Sequence, residues 1–127
     1  IFLIRNGKLI LEKFNKKTSL VSLVKGKFYH YYNKKKSKKP FRVKTKTAVM
    51  GVRGTKYMIE VNPEKAYLCV CQGEVSAQLK TSKKVHSIKA GDDIFLEKQS
   101  AHKQKASEQM MSMVKDEFKL MGYPVLP

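Results

Sequence analysis

The stretch FRVKTKTAVMGVRGTKYMIEVNPEKAYLCVCQG, residues 41–73, decides the fold. Phe41, Val43, Thr45 and Thr47 alternate with Arg42, Lys44 and Lys46, the period of a strand with one buried face. Gly51-Val52-Arg53-Gly54-Thr55 then sets two glycines around an arginine, a place where the backbone can turn tightly or approach a neighbour. Tyr57, Ile59 and Val61 alternate with Lys56, Met58 and Glu60. Asn62-Pro63-Glu64-Lys65 is a turn by its chemistry, because Pro fixes φ and Asn bonds its own backbone. Ala66 to Gln72 is rich in β-formers and is closed by Gly73. The core therefore reads strand, glycine corner, strand, turn, strand.

Upstream, Arg5-Asn6-Gly7-Lys8 carries a hairpin signal between Phe2–Ile4 and Leu9–Leu11. Asn15 to Thr18 is a second turn, Ser19 to Val24 a strand broken by Gly26, and Lys27 to Tyr32 an aromatic strand. Residues 33–40, NKKKSKKP, contain no apolar side chain and read as an exposed basic loop. Downstream, Val75, Ala77 and Leu79 share one face of a strand. Lys80 to Lys84 turns the chain, Val85 to Ile88 is short, and Ala90 to Asp93 turns it again. Ile94 to Leu96 closes the β part. From Ser107 the period changes: Met110, Met113, Val114, Phe118 and Met121 fall three and four apart. Ser107 is an N-cap, Gly122 a stop, and Pro124 bars continuation. The expectation is an all-β domain, sandwich-like or rolled and antiparallel, over residues 1–99 with a motif core at 41–75. A linker and one amphipathic C-terminal helix of about four turns follow over 100–127.

The charge balance is extreme: 27 Lys and Arg against 10 Asp and Glu, a formal net charge of +17. Such a chain is attracted to polyanions: nucleic acid, anionic lipid headgroups or acidic wall glycans. Only Arg5, Arg42 and Arg53 are arginine, so the cations suit diffuse attraction better than bidentate readout of bases. Lys34, Lys35, Lys36, Lys38 and Lys39 are the densest anion-binding candidates. Beside them, Phe28, Tyr29, Tyr31 and Tyr32 would stack single-stranded bases on an exposed face, although alternation sends half of such rings into a core. No apolar run approaches the length of a membrane-spanning helix. The chain begins at Ile1, in mid-pattern, which leaves a preceding leader or anchor open.

No nucleophile motif, phosphate loop or dinucleotide fingerprint is present, and the ten carboxylates are scattered, so an enzyme is not expected and no catalytic residue is assigned. Gly51-x-x-Gly54 is followed by a strand pattern and not by a helix, which removes the phosphate-binding reading. Arg53 is assigned a structural role, bonding carbonyls across the corner. Cys69-Val70-Cys71 is the sharpest chemical feature. Alternate strand positions put both sulfurs on one face, where they could share a soft metal or a haem with His86 and His102 from later strands. The alternative is two packed thiols and two surface imidazoles. Apart from that metal or haem, no cofactor is expected.

Val43, Thr45, Ala48, Val49, Gly51, Val52, Arg53, Gly54, Thr55 and Tyr57, followed by Val70, Gly73, Glu74, Val75, Ala90 and Gly91, resemble the pattern of the FecR domain. The similarity runs roughly from Thr18 to Leu96, and Val52-Arg53-Gly54-Thr55 is its most specific part. Lys46 stands where the pattern commonly has proline, and the pattern does not require Cys69 or Cys71. The resemblance implies a bacterial, extracytoplasmic, periplasmic module without catalytic activity. It implies sensing, regulation or scaffolding by protein–protein contact with an envelope or signalling component, in transmembrane signalling to sigma factors.

Overall fold

The computed structural model describes residues 2–14, 19–32 and 41–125. Eight strands and one helix follow in order: β1 (Phe2–Phe14), β2 (Ser19–Tyr32), β3 (Phe41–Lys44), β4 (Ala48–Val61), β5 (Lys65–Leu79), β6 (Val85–Lys89), β7 (Asp92–Glu97), β8 (Ala101–Lys105) and α1 (Glu108–Leu120). All strands belong to one sheet of order β1-β2-β3-β4-β5-β7-β8, with β6 beside β5. The expected all-β class with a terminal helix holds, and the sheet is rolled.

The roll follows from long strands that change partners halfway. The first half of β2 pairs with β3 and its second half with β4, while β3 pairs with β4 on its other edge. The three strands therefore close on one another. One pair departs from the antiparallel expectation: β2 runs antiparallel to β4, β4 antiparallel to β3, and so β2 and β3 are parallel. Likewise β5 gives its first half to β7 and its second half to β6.

Glycine makes the bends, and here three local expectations are corrected. Gly26 does not end a strand; it lies within β2 at φ 110°. Asn6-Gly7 is no hairpin, because β1 continues through it while the register slips from Arg5↔Lys27 to Lys8↔Lys25, a bulge opposite Gly26. Gly54 and Gly73, at φ 58° and 81°, face each other where the β4–β5 register slips between Arg53 and Lys56. A glycine at positive φ serves a turn or a bulge equally well, and only the partner strand decides which. β8, Ala-His-Lys-Gln-Lys, extends the sheet within the stretch read as linker. An exposed edge strand of polar residues carries no apolar period to read. The turn at Asn15 to Thr18 and Lys34, Lys35, Lys36, Lys38 and Lys39 lie outside the described residues.

Two apolar clusters result. The roll encloses Val21, Phe28, Val43, Met50, Tyr57, Ile59, Leu68, Val70, Ile88 and Ile94. On the opposite face of the same strands, Tyr29, Met58, Cys69 and Cys71 pack against Val114 and Phe118 of α1. Strands buried on both faces lose their alternation, as the unbroken burial of Leu68 to Cys71 records. Ser107 caps α1, its side-chain oxygen accepting from the Met110 amide at 3.1 Å. Gly122 at φ 87° ends the helix, and the Tyr123 amide then donates to the Phe118 carbonyl at 2.9 Å. Val114 and Phe118 face the sheet, whereas Met113, expected on that face, is 39% exposed.

Candidate functional site

Three places carry the residues singled out in the sequence. The first is the corner between β4 and β5. Thr55 is fully buried, and its hydroxyl accepts from the Arg53 amide at 3.2 Å. The same hydroxyl has the Arg53 carbonyl at 2.7 Å and the Glu74 carbonyl at 2.9 Å within donating reach. The corner is thus tied by Thr55. The Arg53 side chain is exposed and makes no hydrogen bond or ion pair with any described residue, so the bond across the corner expected of it is supplied by the threonine. Two backbone bonds attach the β6–β7 turn to this corner: Ala90 donates to the Gly73 carbonyl and Gly91 to that of Val70, at 3.1 and 2.9 Å. Glycines, Thr55, Val70, Ala90 and Gly91 are one interlocked structure.

The second place is the outer face of that half of the sheet. The register aligns Arg42, Gly51 and Ser76 in one row and Val49, Gln78 and Val85 in the next. Gly51 has no side chain to fill the row, and a depression of about 250 Å³ lies over it, lined by these six residues among others. A Cβ at Gly51 would stand 2.8 Å from Ser76 Oγ, so even alanine would close its floor. Val85 is 59% exposed at the β6 rim, and the exposed Arg42 stands at the opposite, β3 rim. A floor of mixed polarity, a cationic rim at Arg42 and a β6 edge unpaired by any described strand form a surface that an acidic segment could contact. Sequence reasoning named Gly51 but missed Val85 and Ser76, whose only signal was their register against it.

The third place is the cysteine face. Cys69 and Cys71 are reduced and buried. Cys69 Sγ donates to Met111 Sδ of α1 at 3.6 Å. A hydrogen bond between the two thiols, with burial opposing it at Cys69, pulls Cys69 down from the ordinary thiol range; the same bond, aided by burial, pushes Cys71 up. Tyr67, burial and Asp93 holding its phenol neutral, donates to Asp93 Oδ2 at 2.5 Å. Asp93, read in the sequence as part of a turn, is an inward residue of β7 opposite Cys69 in the register. His86 and His102 do not join. His86 stands on β6 opposite Ala77, its imidazole depressed by burial and then by Lys84 and Lys103. His102 is exposed on β8 opposite Phe95. No three His, Cys, Asp or Glu among the described residues are gathered as a metal would require, and the four-residue set of the sequence reading is not assembled.

The aromatic strand offers no exposed stacking platform among its described rings. Phe28, Tyr29 and His30 are buried, Tyr31 meets Tyr123 at 5.1 Å, and Tyr32 meets Phe41 at 5.2 Å. Lys56 is only 6% exposed; its ammonium donates to the Pro124 carbonyl at 2.9 Å and lies 4.9 Å from the Tyr31 ring centre. Burial lowers its pKa. No described helix is long and apolar enough to cross a membrane.

Comparison with known proteins gives a consistent result. A family model described as FecR protein matches residues 3–76. Two solved structures of proposed anti-sigma factors from Parabacteroides distasonis share the fold. One aligns with a TM-score of 0.64 and 19% identity over 90% of this chain and 52% of its own. The other aligns with a TM-score of 0.65 and 18% identity over 95% of this chain and 56% of its own. The chain thus spans about half the length of these neighbours. No curated protein matches it.

Proposed function

The chain belongs to the FecR protein family, and from that premise we propose that it is a non-catalytic, extracytoplasmic regulatory domain acting by contact with an acidic protein partner. FecR proteins are regulatory signalling proteins, and the match covers Gly51 to Gly73 of the corner and Arg42, Val49, Gly51 and Ser76 of the groove, while Gln78, Val85, Ala90 and Gly91 lie beyond it. The observation that carries the reading is that Arg42, Gly51, Ser76 and Val85, from two adjacent rows, line one depression of about 250 Å³ on a chain of net charge +17. The cationic rim speeds encounter with an acidic partner, and a single apolar side chain of that partner fills the floor over Gly51. The likeness of the fold to proposed anti-sigma factors supports a sigma-factor regulon as the output.

The test is removal and restoration. Transcripts are compared between the host strain, a strain lacking the gene, and that strain carrying the gene again. A coherent set of transcripts read by one sigma factor should change and revert. An unchanged transcript profile would overturn the regulatory reading. An alkaline phosphatase fusion, active only outside the cytoplasm, tests the compartment separately.

A further inference from the structure

Two thiols and a thioether meet beneath α1. Cys69 and Met111 sulfurs are 3.6 Å apart, Cys71 lies two residues along β5 in the same cluster beneath the helix, and Cys69 and Cys71 are 0% and 5% exposed. β5 supplies both cysteines to one face, and the helix lays Met111 over them. Three sulfurs around one metal at about 2.3 Å stand about 4 Å apart, so the Cys69–Met111 pair is already near that spacing and Cys71, on the same strand face, would turn its side chain to complete it. The surroundings differ from an ordinary apolar core. Asp93, opposite Cys69, is 2% exposed, and its Oδ1 has no hydrogen-bond partner. It is the one carboxylate among the described residues with such an oxygen.

We propose that Cys69, Cys71 and Met111 form a three-sulfur site for a monovalent thiophilic metal, Cu(I) in the first place. Soft thiolate and thioether ligands select Cu(I). Divalent zinc would ask for four ligands, and neither His86 nor His102 joins the cysteines. Loading replaces the S–H bonds of Cys69 and Cys71 by S–Cu bonds and releases two protons to solvent; Met111 coordinates through its lone pair, and no electron is transferred. The partly buried Met110 and Met121 pack against the same cluster. Metal binding would fix the helix to β5, since one ion would hold both. This proposal is independent of the groove.

The test titrates the reduced, purified chain with Cu(I) under argon against bicinchoninic acid, with X-ray absorption to count sulfur ligands. The expected result is one Cu(I) per chain with sulfur-only ligation. Binding should be abolished in Cys69→Ser/Cys71→Ser, weakened about tenfold or more in Met111→Leu, and unchanged in His86→Ala/His102→Ala. Leucine keeps the volume and apolar nature of methionine, so Met111→Leu remains informative if the cysteine variant does not fold. Absence of stoichiometric Cu(I), or full affinity in Met111→Leu, would overturn the site.

Discussion

Gly73 lies so close to Gly54 that a Cβ on Gly73 would stand 2.3 Å from the Gly54 carbonyl oxygen. Each glycine is at positive φ, and the two bulged strands bend together at this one point.

Gly73→Ala therefore combines a backbone penalty with a collision against main chain. Its expected cost is about 3 kcal/mol or more. Gly91→Ala is the control: φ is 95°, but nothing lies within 4 Å of the added carbon. It should cost about 1–2 kcal/mol, the backbone term alone. Denaturant midpoints at equal slope would measure both. Equal losses would mean that the approach to Gly54 is not what restricts position 73.

Thr55 and Arg53 make opposite predictions to those their chemistry suggests. Thr55→Val keeps the shape but leaves buried backbone groups unpaired, at about 1–3 kcal/mol. Arg53→Ala removes a charged but exposed and unbonded side chain, and should stay within about 0.5 kcal/mol. Thermal unfolding of the two variants compares them directly. A large loss for Arg53→Ala would show that the guanidinium, not the threonine, ties the corner.

His30 should make the protein acid-sensitive. Burial lowers its pKa to about 3, and its Nδ1 bonds the Tyr57 hydroxyl at 2.8 Å. The Phe41 and Tyr32 rings pack beside it, and burial keeps the Tyr57 phenol neutral. The unfolded imidazole takes a proton below about pH 6.5, whereas the folded one does not until about pH 3. The unfolded state thus binds more protons in that window. Stability is complete above pH 6.5 and falls by up to about 1.4 kcal/mol per pH unit toward 3. His30→Phe should remove this slope while leaving the carboxylates' share. Identical slopes in the two proteins would contradict the assignment.

α1 completes the domain by covering the second apolar cluster. Phe118 is fully buried and meets Tyr29 edge-on at 6.0 Å. Arg5 of β1 bonds Glu117 at 3.0 Å from outside. Phe118→Ala should cost about 3–5 kcal/mol. It should also expose Cys69 and Cys71 to a thiol reagent that reacts slowly with the wild type. Unaltered thiol reactivity would mean that the helix does not shield them.

What the sequence disclosed, and what it hid, has a physical pattern. Local chemistry was readable: Asn62 Oδ1 accepts from Glu64 and Lys65 as its turn requires, and Ser107 caps the helix. Phe41 and Val43 point inward by simple alternation, while Thr45 and Thr47 leave the strand to close the following turn. What depended on a distant partner was not readable. Gly26, Gly54 and Gly73 look like strand ends until their neighbours reveal bulges. Asp93 looks like a turn residue until β5 is placed beside it. The two cysteines shared a face as their spacing requires, but which element covered that face could not be known. It is α1, with Met111, and not the strands of His86 and His102.

The most direct measurement of the regulatory account uses Gly51→Leu in the transcript assay, with its thermal midpoint recorded beside it. Leucine fills the groove floor, and the only close atom among the described residues, Ser76 Oγ, can rotate away. The account expects a folded protein that fails to restore sigma-dependent transcription in the strain lacking the gene. Full restoration by folded Gly51→Leu would contradict contact through this groove.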